Sequence, residues 1–82
     1  MIKVLFFASL RERLGVDKIE FIVDTPLSVM DLRLAIIKQH PAWESELTKK
    51  NLLIAVNKEQ SHIESLVHTG DEVAFFPPVT GG

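Results

Sequence analysis

Short apolar runs separated by polar turns dominate the hydropathy pattern of the chain. Four of these runs are rich in β-branched and aromatic residues, which is the composition of strands. They lie at residues 2–8, 19–23, 52–56 and 72–76. The first and the last run are both strongly hydrophobic, which predicts that they lie side by side in the middle of a sheet.

One longer segment has its apolar residues at helical spacing instead. Ser28, followed three positions later by Asp31, resembles a capping box, and Pro41 stops the helix. Between them the apolar positions recur with the helical period: Val29, Leu32, Ile36 and Ile37. A short helical turn is also predicted at residues 9–14, closed by Gly15. One main helix across a mixed sheet is the simplest architecture that buries these faces, which is an α+β fold of the β-grasp (ubiquitin-like) type.

Strand alternation predicts which side chains of the sheet face away from the helix. Because Lys3 and Glu72 should face water, Phe6 and Phe75 should face the core. The open face then carries mainly apolar side chains: Leu5, Phe7, Leu53, Ala55, Ala74 and Phe76. Such a face on a small chain is a candidate docking surface, and the alternative is that a loop covers it.

Length and composition exclude several classes of function. The 82 residues make one small domain, with residues 1–76 as the globular part and residues 77–82 as a flexible tail. A net charge of −2 without a basic block argues against nucleic acid, and no apolar run is long enough to span a bilayer. Met1 leads directly into a strand pattern, which predicts no signal peptide and a cytoplasmic location.

The chain also lacks the residues of several reactive sites. It has no cysteine, which excludes disulfides, zinc–thiolate sites and a cysteine nucleophile. Its three histidines do not show the spacing of metal ligands, so no metal site is predicted. A glycine-rich phosphate loop is also missing, and we expect no cofactor to be bound by this chain alone.

The last six residues, Pro77 to Gly82, have the composition of a tail that enters a narrow channel. Pro77 ends the strand because it has no N–H, and Pro78 favours an extended backbone. The segment reaches about 20 Å at ~3.3 Å per residue, and no side chain obstructs the Gly82 carboxylate. Ordering it costs roughly 6–12 kcal/mol, whereas a micromolar complex supplies about 8 kcal/mol. The apolar sheet face must therefore contribute to any binding.

Four segments together carry a family resemblance. They are the opening residues 1–8, the helix start after Thr25-Pro26, the segment 55–57 and above all residues 70–82, Gly-Asp-Glu-Val-Ala-Phe-Phe-Pro-Pro-Val-Thr-Gly-Gly. These segments resemble the small subunit of molybdopterin synthase, the MoaD family. The resemblance covers the whole chain. It implies a carrier that does not catalyse alone and that works in a heterotetramer with the large synthase subunit.

The resemblance also implies a chemistry for Gly82. A partner adenylyltransferase would activate its carboxylate with ATP, and a sulfur donor enzyme would convert the acyl-adenylate to a thiocarboxylate. The tail, including Gly81, would enter the large subunit, where the sulfur attacks precursor Z (cyclic pyranopterin monophosphate). Arg11 matches a basic position of the family. The expected partner-binding residues are Phe7, Arg11, Leu53, Phe76, Pro77, Pro78, Val79 and Thr80.

Three other functions remain open on the sequence. Carriers of the thiamine type also end in Gly-Gly, although they lack a comparable Phe-Phe-Pro-Pro lead. A ubiquitin-like modifier would join Gly82 to a lysine through an isopeptide bond. A pure adaptor would use the sheet face and leave the tail idle.

Overall fold

A computed structural model describes residues 1–78 of the chain. Its elements, in chain order, are β1 (Ile2–Phe6), α1 (Ala8–Leu14), β2 (Lys18–Phe21), β3 (Leu27–Ser28), α2 (Val29–Gln39), a 3-10 turn (Pro41–Trp43), α3 (Glu44–Leu47), β4 (Leu53–Val56), β5 (Glu59–Gln60), β6 (Leu66–Val67) and β7 (Glu72–Phe76). Within this part of the chain, none of the helices is long and apolar enough to cross a membrane.

The main sheet has five strands in the order β2-β1-β7-β4-β5. The first and last strands, β1 and β7, pair in parallel at its centre, and the other pairs are antiparallel. The predicted mixed sheet of β-grasp type is confirmed, and the main helix α2 packs against one face of it. Strands β3 and β6 form a separate two-stranded sheet, which the sequence pattern did not predict.

Local signals explain most of the element boundaries. The Ser28 side chain accepts a hydrogen bond from the Asp31 N–H at 3.0 Å, so the predicted cap begins α2. Gly15 ends α1 with a left-handed backbone, at φ 81°. Ala8 was wrongly placed at the end of the first strand: its φ of 57° turns the chain out of β1, and it begins α1.

The core lies between the sheet and the helices. Its fully buried side chains come from both layers: Ile2, Val4, Phe6, Val29, Leu32, Ile36, Leu47, Val67, Val73 and Phe75. Trp43 is half-buried at its margin and meets the Phe6 ring edge-on, with centroids 5.6 Å apart. Leu47, in the short helix α3, is also completely buried.

Candidate functional site

Two aromatic rings and a leucine meet at one end of the open sheet face. The Phe7 and Phe76 rings pack edge-to-face, with centroids 6.5 Å apart and an interplanar angle of 74°. Leu53 lies directly opposite Phe76 in the β4–β7 ladder. Phe7 is 45% exposed, whereas Phe6 and Phe75 are 1% and 0% exposed. The predicted alternation is therefore confirmed. Phe7, Phe76 and Leu53 lie together at one end of the open face, which we call its aromatic end.

A groove of about 300 Å³ runs along the open face from this aromatic end. Its floor is low because Ala55 and Ala74 lie directly opposite each other in the ladder, with larger side chains on both sides. Mainly apolar residues line it: Leu5, Phe7, Ala55, Lys58, Glu72, Ala74 and Phe76. The lining can therefore take up apolar groups of a partner, and it offers charges only at the end far from Phe76.

Strand direction brings the aromatic end of the groove to the start of the tail. Because β1 and β7 are parallel, Phe6 and Phe76 end their strands at the same edge of the sheet. Pro77 and Pro78 follow at this edge and are half-buried. The predicted tail residues beyond them lie outside the described residues: Val79, Thr80, Gly81 and Gly82.

Arg11 does not line the groove, although it lies one helical turn after Phe7, whose carbonyl accepts from the Arg11 N–H at 3.4 Å. It is exposed on α1 and lines a separate, shallow concavity of about 540 Å³ with Asp17 and Lys18. The structure thus brings together Phe7, Leu53 and Phe76 but does not bring Arg11 into their cluster. A role of Arg11 in partner binding stays a prediction.

Lys58 is a groove residue that the sequence analysis missed. The hairpin between β4 and β5 turns through Asn57 and Lys58, whose φ angles of 51° and 70° are those of a two-residue type I′ turn. The Asn57 backbone N–H donates to the Glu72 carbonyl at 2.8 Å, and its side-chain oxygen accepts from the Glu72 N–H at 3.0 Å. The turn is therefore fastened to the start of β7, which brings Lys58 to the groove. The sequence signal that could have revealed this tight turn is an Asn between two strand-like segments.

The Asn57 side chain also contacts Asp71. The Asp71 carboxylate accepts from the His68 backbone N–H at 2.8 Å and from the Asn57 amide at 3.1 Å. Both bonds stabilise the charged carboxylate and therefore lower the pKa of Asp71, and the bond from the His68 N–H has the largest effect. The carboxylate thereby ties the turn before β7 to the β4–β5 hairpin.

We expect this arrangement to make folding sensitive to acid. The folded-state pKa of Asp71 lies below its unfolded value, so its contribution is complete above about pH 4 and is lost as the pH falls through the lowered pKa. Because Asp71 is partly exposed, the contribution is about 1 kcal/mol. Urea unfolding of the native chain and of Asp71→Asn at neutral and acidic pH measures it. A stability difference that stays constant across this range would contradict the expectation.

Fold and site together define a class: a β-grasp protein with an apolar groove beside its C-terminal strand. Residues 4–82 match the family model described as the ThiS family, and the chain belongs to this family. The predicted resemblance to the MoaD family is also confirmed, since the chain is similar over its whole length to proteins of that kind.

Two relatives are molybdopterin synthase sulfur carrier subunits. The chain is 44% identical over 82 residues to that of Haemophilus influenzae and 48% identical to that of Escherichia coli. Both alignments cover 100% of this chain and 100% of the relative. Among solved structures, the small archaeal modifier protein 1 of Haloferax volcanii superposes with a TM-score of 0.85 at 31% identity, covering 99% of this chain and 98% of the other.

Proposed function

We propose that this chain is the sulfur-carrier subunit of a molybdopterin synthase. The observation that carries the proposal is the position of the groove: its aromatic end, with Phe7 and Phe76, lies at the sheet edge where Pro77 begins the tail. A partner seated on the groove is thus adjacent to the segment that carries Gly82. The full-length likeness to two sulfur carrier subunits supports the same function.

The carrier must first be activated, because a carboxylate is a poor electrophile. A partner adenylyltransferase joins the Gly82 carboxylate to AMP from ATP and releases pyrophosphate. A sulfur donor enzyme then supplies sulfur at the oxidation level of sulfide (HS⁻), which attacks the acyl carbon and displaces AMP. The product is a Gly82 thiocarboxylate, which is anionic at neutral pH and a good nucleophile. Since the chain has no cysteine, no thiol of its own competes for the acyl-adenylate.

The carrier with the Gly82 thiocarboxylate then docks on the large synthase subunit through the groove. Burying one aromatic side chain contributes on the order of 1.5–3 kcal/mol, so Phe7 and Phe76 together offset a substantial part of the cost of ordering the tail. The tail enters the large subunit's active site, where the thiocarboxylate sulfur attacks a carbon of precursor Z, displaces an oxygen substituent and forms a thioester with Gly82. Water restores the Gly82 carboxylate, and two such deliveries build the dithiolene of molybdopterin.

Reconstitution with purified components tests this function. With the adenylyltransferase, ATP and a sulfur source, intact mass spectrometry should show one oxygen of the chain replaced by sulfur. Addition of the large subunit and precursor Z should return the original mass and yield molybdopterin in proportion. Omission of ATP is the control and should leave the mass unchanged. A thiocarboxylated chain that transfers no sulfur to precursor Z would contradict the proposal.

A second candidate function is that of a protein modifier. The likeness to the small archaeal modifier protein 1 favours it, at 31% identity over nearly the whole of both chains. In this case a lysine amine of a target attacks the Gly82 acyl-adenylate, releases AMP and forms an isopeptide bond. Western blots of the native host with an antibody against this chain would then show larger conjugates. These conjugates should disappear when Gly82 is deleted.

A further inference from the structure

Charged residues of alternating sign cross the open face at the end of the groove far from Phe76. In the strand register Glu20 lies opposite Lys3, and Lys3 lies opposite Glu72. Lys58, in the adjacent turn, lines the groove together with Glu72. We call Glu20, Lys3, Glu72 and Lys58 the charged row. Lys3 and Glu72 project from the open face, because the residues that flank Lys3 and follow Glu72 are fully buried, and Glu20 shares this face because it lies directly opposite Lys3.

The backbone holds the charged row in a fixed arrangement. The Lys3 N–H donates to the Asp71 carbonyl at 3.0 Å, in addition to the β1–β7 ladder. Asn57 is fastened to both the N–H and the carbonyl of Glu72, as described above. The spacing of the charges along the row therefore follows the strand spacing of about 4.8 Å.

The charged row is not used for ion pairs inside the described part of the chain. Across residues 1–78 the ion pairs between lysine or arginine and a carboxylate are Arg13–Glu46 and Lys49–Glu46, and neither joins members of the row. A structural role would rest on cross-strand attraction alone, which contributes a few tenths of a kcal/mol to about 1 kcal/mol per pair. The charges are thus available to a partner that covers the neighbouring groove.

We propose that the charged row orients the docked partner, which presents carboxylates to Lys3 and Lys58 and a cation to Glu72. This inference rests on the proposed docking of the groove on the large synthase subunit. Burial of apolar surface is non-directional, so the groove provides affinity without fixing the partner's position. The charges alternate from strand to strand, so a shift of the partner by one strand spacing would bring its charges opposite charges of the same sign in the row. Correct placement matters because the tail at the other end must reach an active site.

A charge exchange tests this inference. The double variant Lys3→Glu, Glu72→Lys keeps the net charge and the central cross-strand pair and reverses the pattern that a partner meets. It also sets like charges against Glu20 and Lys58. We expect its affinity for the large subunit to fall about tenfold at low ionic strength, mainly through a slower association rate. High salt should remove most of the difference by screening. The like charges beside Glu20 and Lys58 should lower the melting temperature by a few degrees only, because each such pair costs at most about 1 kcal/mol, so the variant should remain folded.

A matched variant controls for the exchange of charges as such. Lys38 and Glu44 are exposed on the helical side of the molecule, and Lys38→Glu, Glu44→Lys also keeps the net charge. It should bind the large subunit as the native chain does.

A single substitution serves as a second test if the first double variant does not fold. Lys58→Glu changes a turn residue alone, and we expect it to weaken binding about threefold.

The outcomes separate this inference from the proposed function. A native chain that binds the large subunit, together with a Lys3–Glu72 exchange that binds equally well, would overturn the inference and leave groove docking intact. A loss of affinity that persists unchanged at high salt would also overturn it, because the effect would not be electrostatic. A native chain that fails to bind the large subunit would overturn both.

Discussion

Deletion of Gly82 is expected to abolish sulfur transfer completely while leaving the fold intact. In the proposed function the reacting group is the carboxylate of this residue, and its removal leaves the chain one residue too short to bring Gly81 to the same position. The fold should persist because the core is built from residues within Ile2–Phe75. Circular dichroism and thermal melting test the fold, and a reconstituted synthase assay tests transfer.

Extension of the chain by one alanine beyond Gly82 is the matched variant. It keeps every native residue but moves the terminal carboxylate and adds a side chain, and it should be as inactive as the deletion. Both variants should still bind the large subunit, since Phe7 and Phe76 remain. Full sulfur transfer by either one would falsify the carrier function and favour an adaptor with an idle tail.

Phe75→Asp is expected to unfold the protein. The Phe75 side chain is completely buried and stacks on Phe6 with ring centroids 6.2 Å apart. Loss of a buried phenylalanine costs about 3–5 kcal/mol, and an unpaired carboxylate in its place adds several more. The sum is comparable with the whole stability of a small domain, about 5–15 kcal/mol. Thermal melting and circular dichroism measure the loss of structure.

Phe76→Asp is the neighbouring control and should affect binding instead. Its ring lies on the open face against Phe7, so the chain should fold with little loss of stability. An aspartate there removes about 1.5–3 kcal/mol of interfacial burial and adds a desolvation cost, so affinity for the large subunit should fall at least tenfold. Calorimetric titration measures the affinity. Undiminished binding by a folded Phe76→Asp chain would show that the partner does not dock on this face.

Much of the fold could be predicted because its signals are local. Alternation in β1 and β7 placed Phe6 and Phe75 in the core and Phe7 and Phe76 on the open face, as the burial confirms. Ser28 also capped α2 as predicted, because the cap needs only a hydroxyl and an N–H three residues away. Each of these outcomes depends on neighbours within a few residues, and the sequence pattern records such neighbours directly.

Tertiary structure alone decided which distant residues share a surface. Leu27 pairs with Val67, and Leu47 enters the core. None of these three residues lies in a segment with a clear strand or helix periodicity of its own. The adjacency of β1 and β7 was predicted, but only their register sets Lys3 beside Glu72, and the Asn57 turn adds Lys58 to the groove. Register between strands far apart in the chain depends on the packing of the whole sheet. Local periodicity can show which face a residue occupies, but it does not show which residue of another strand lies beside it.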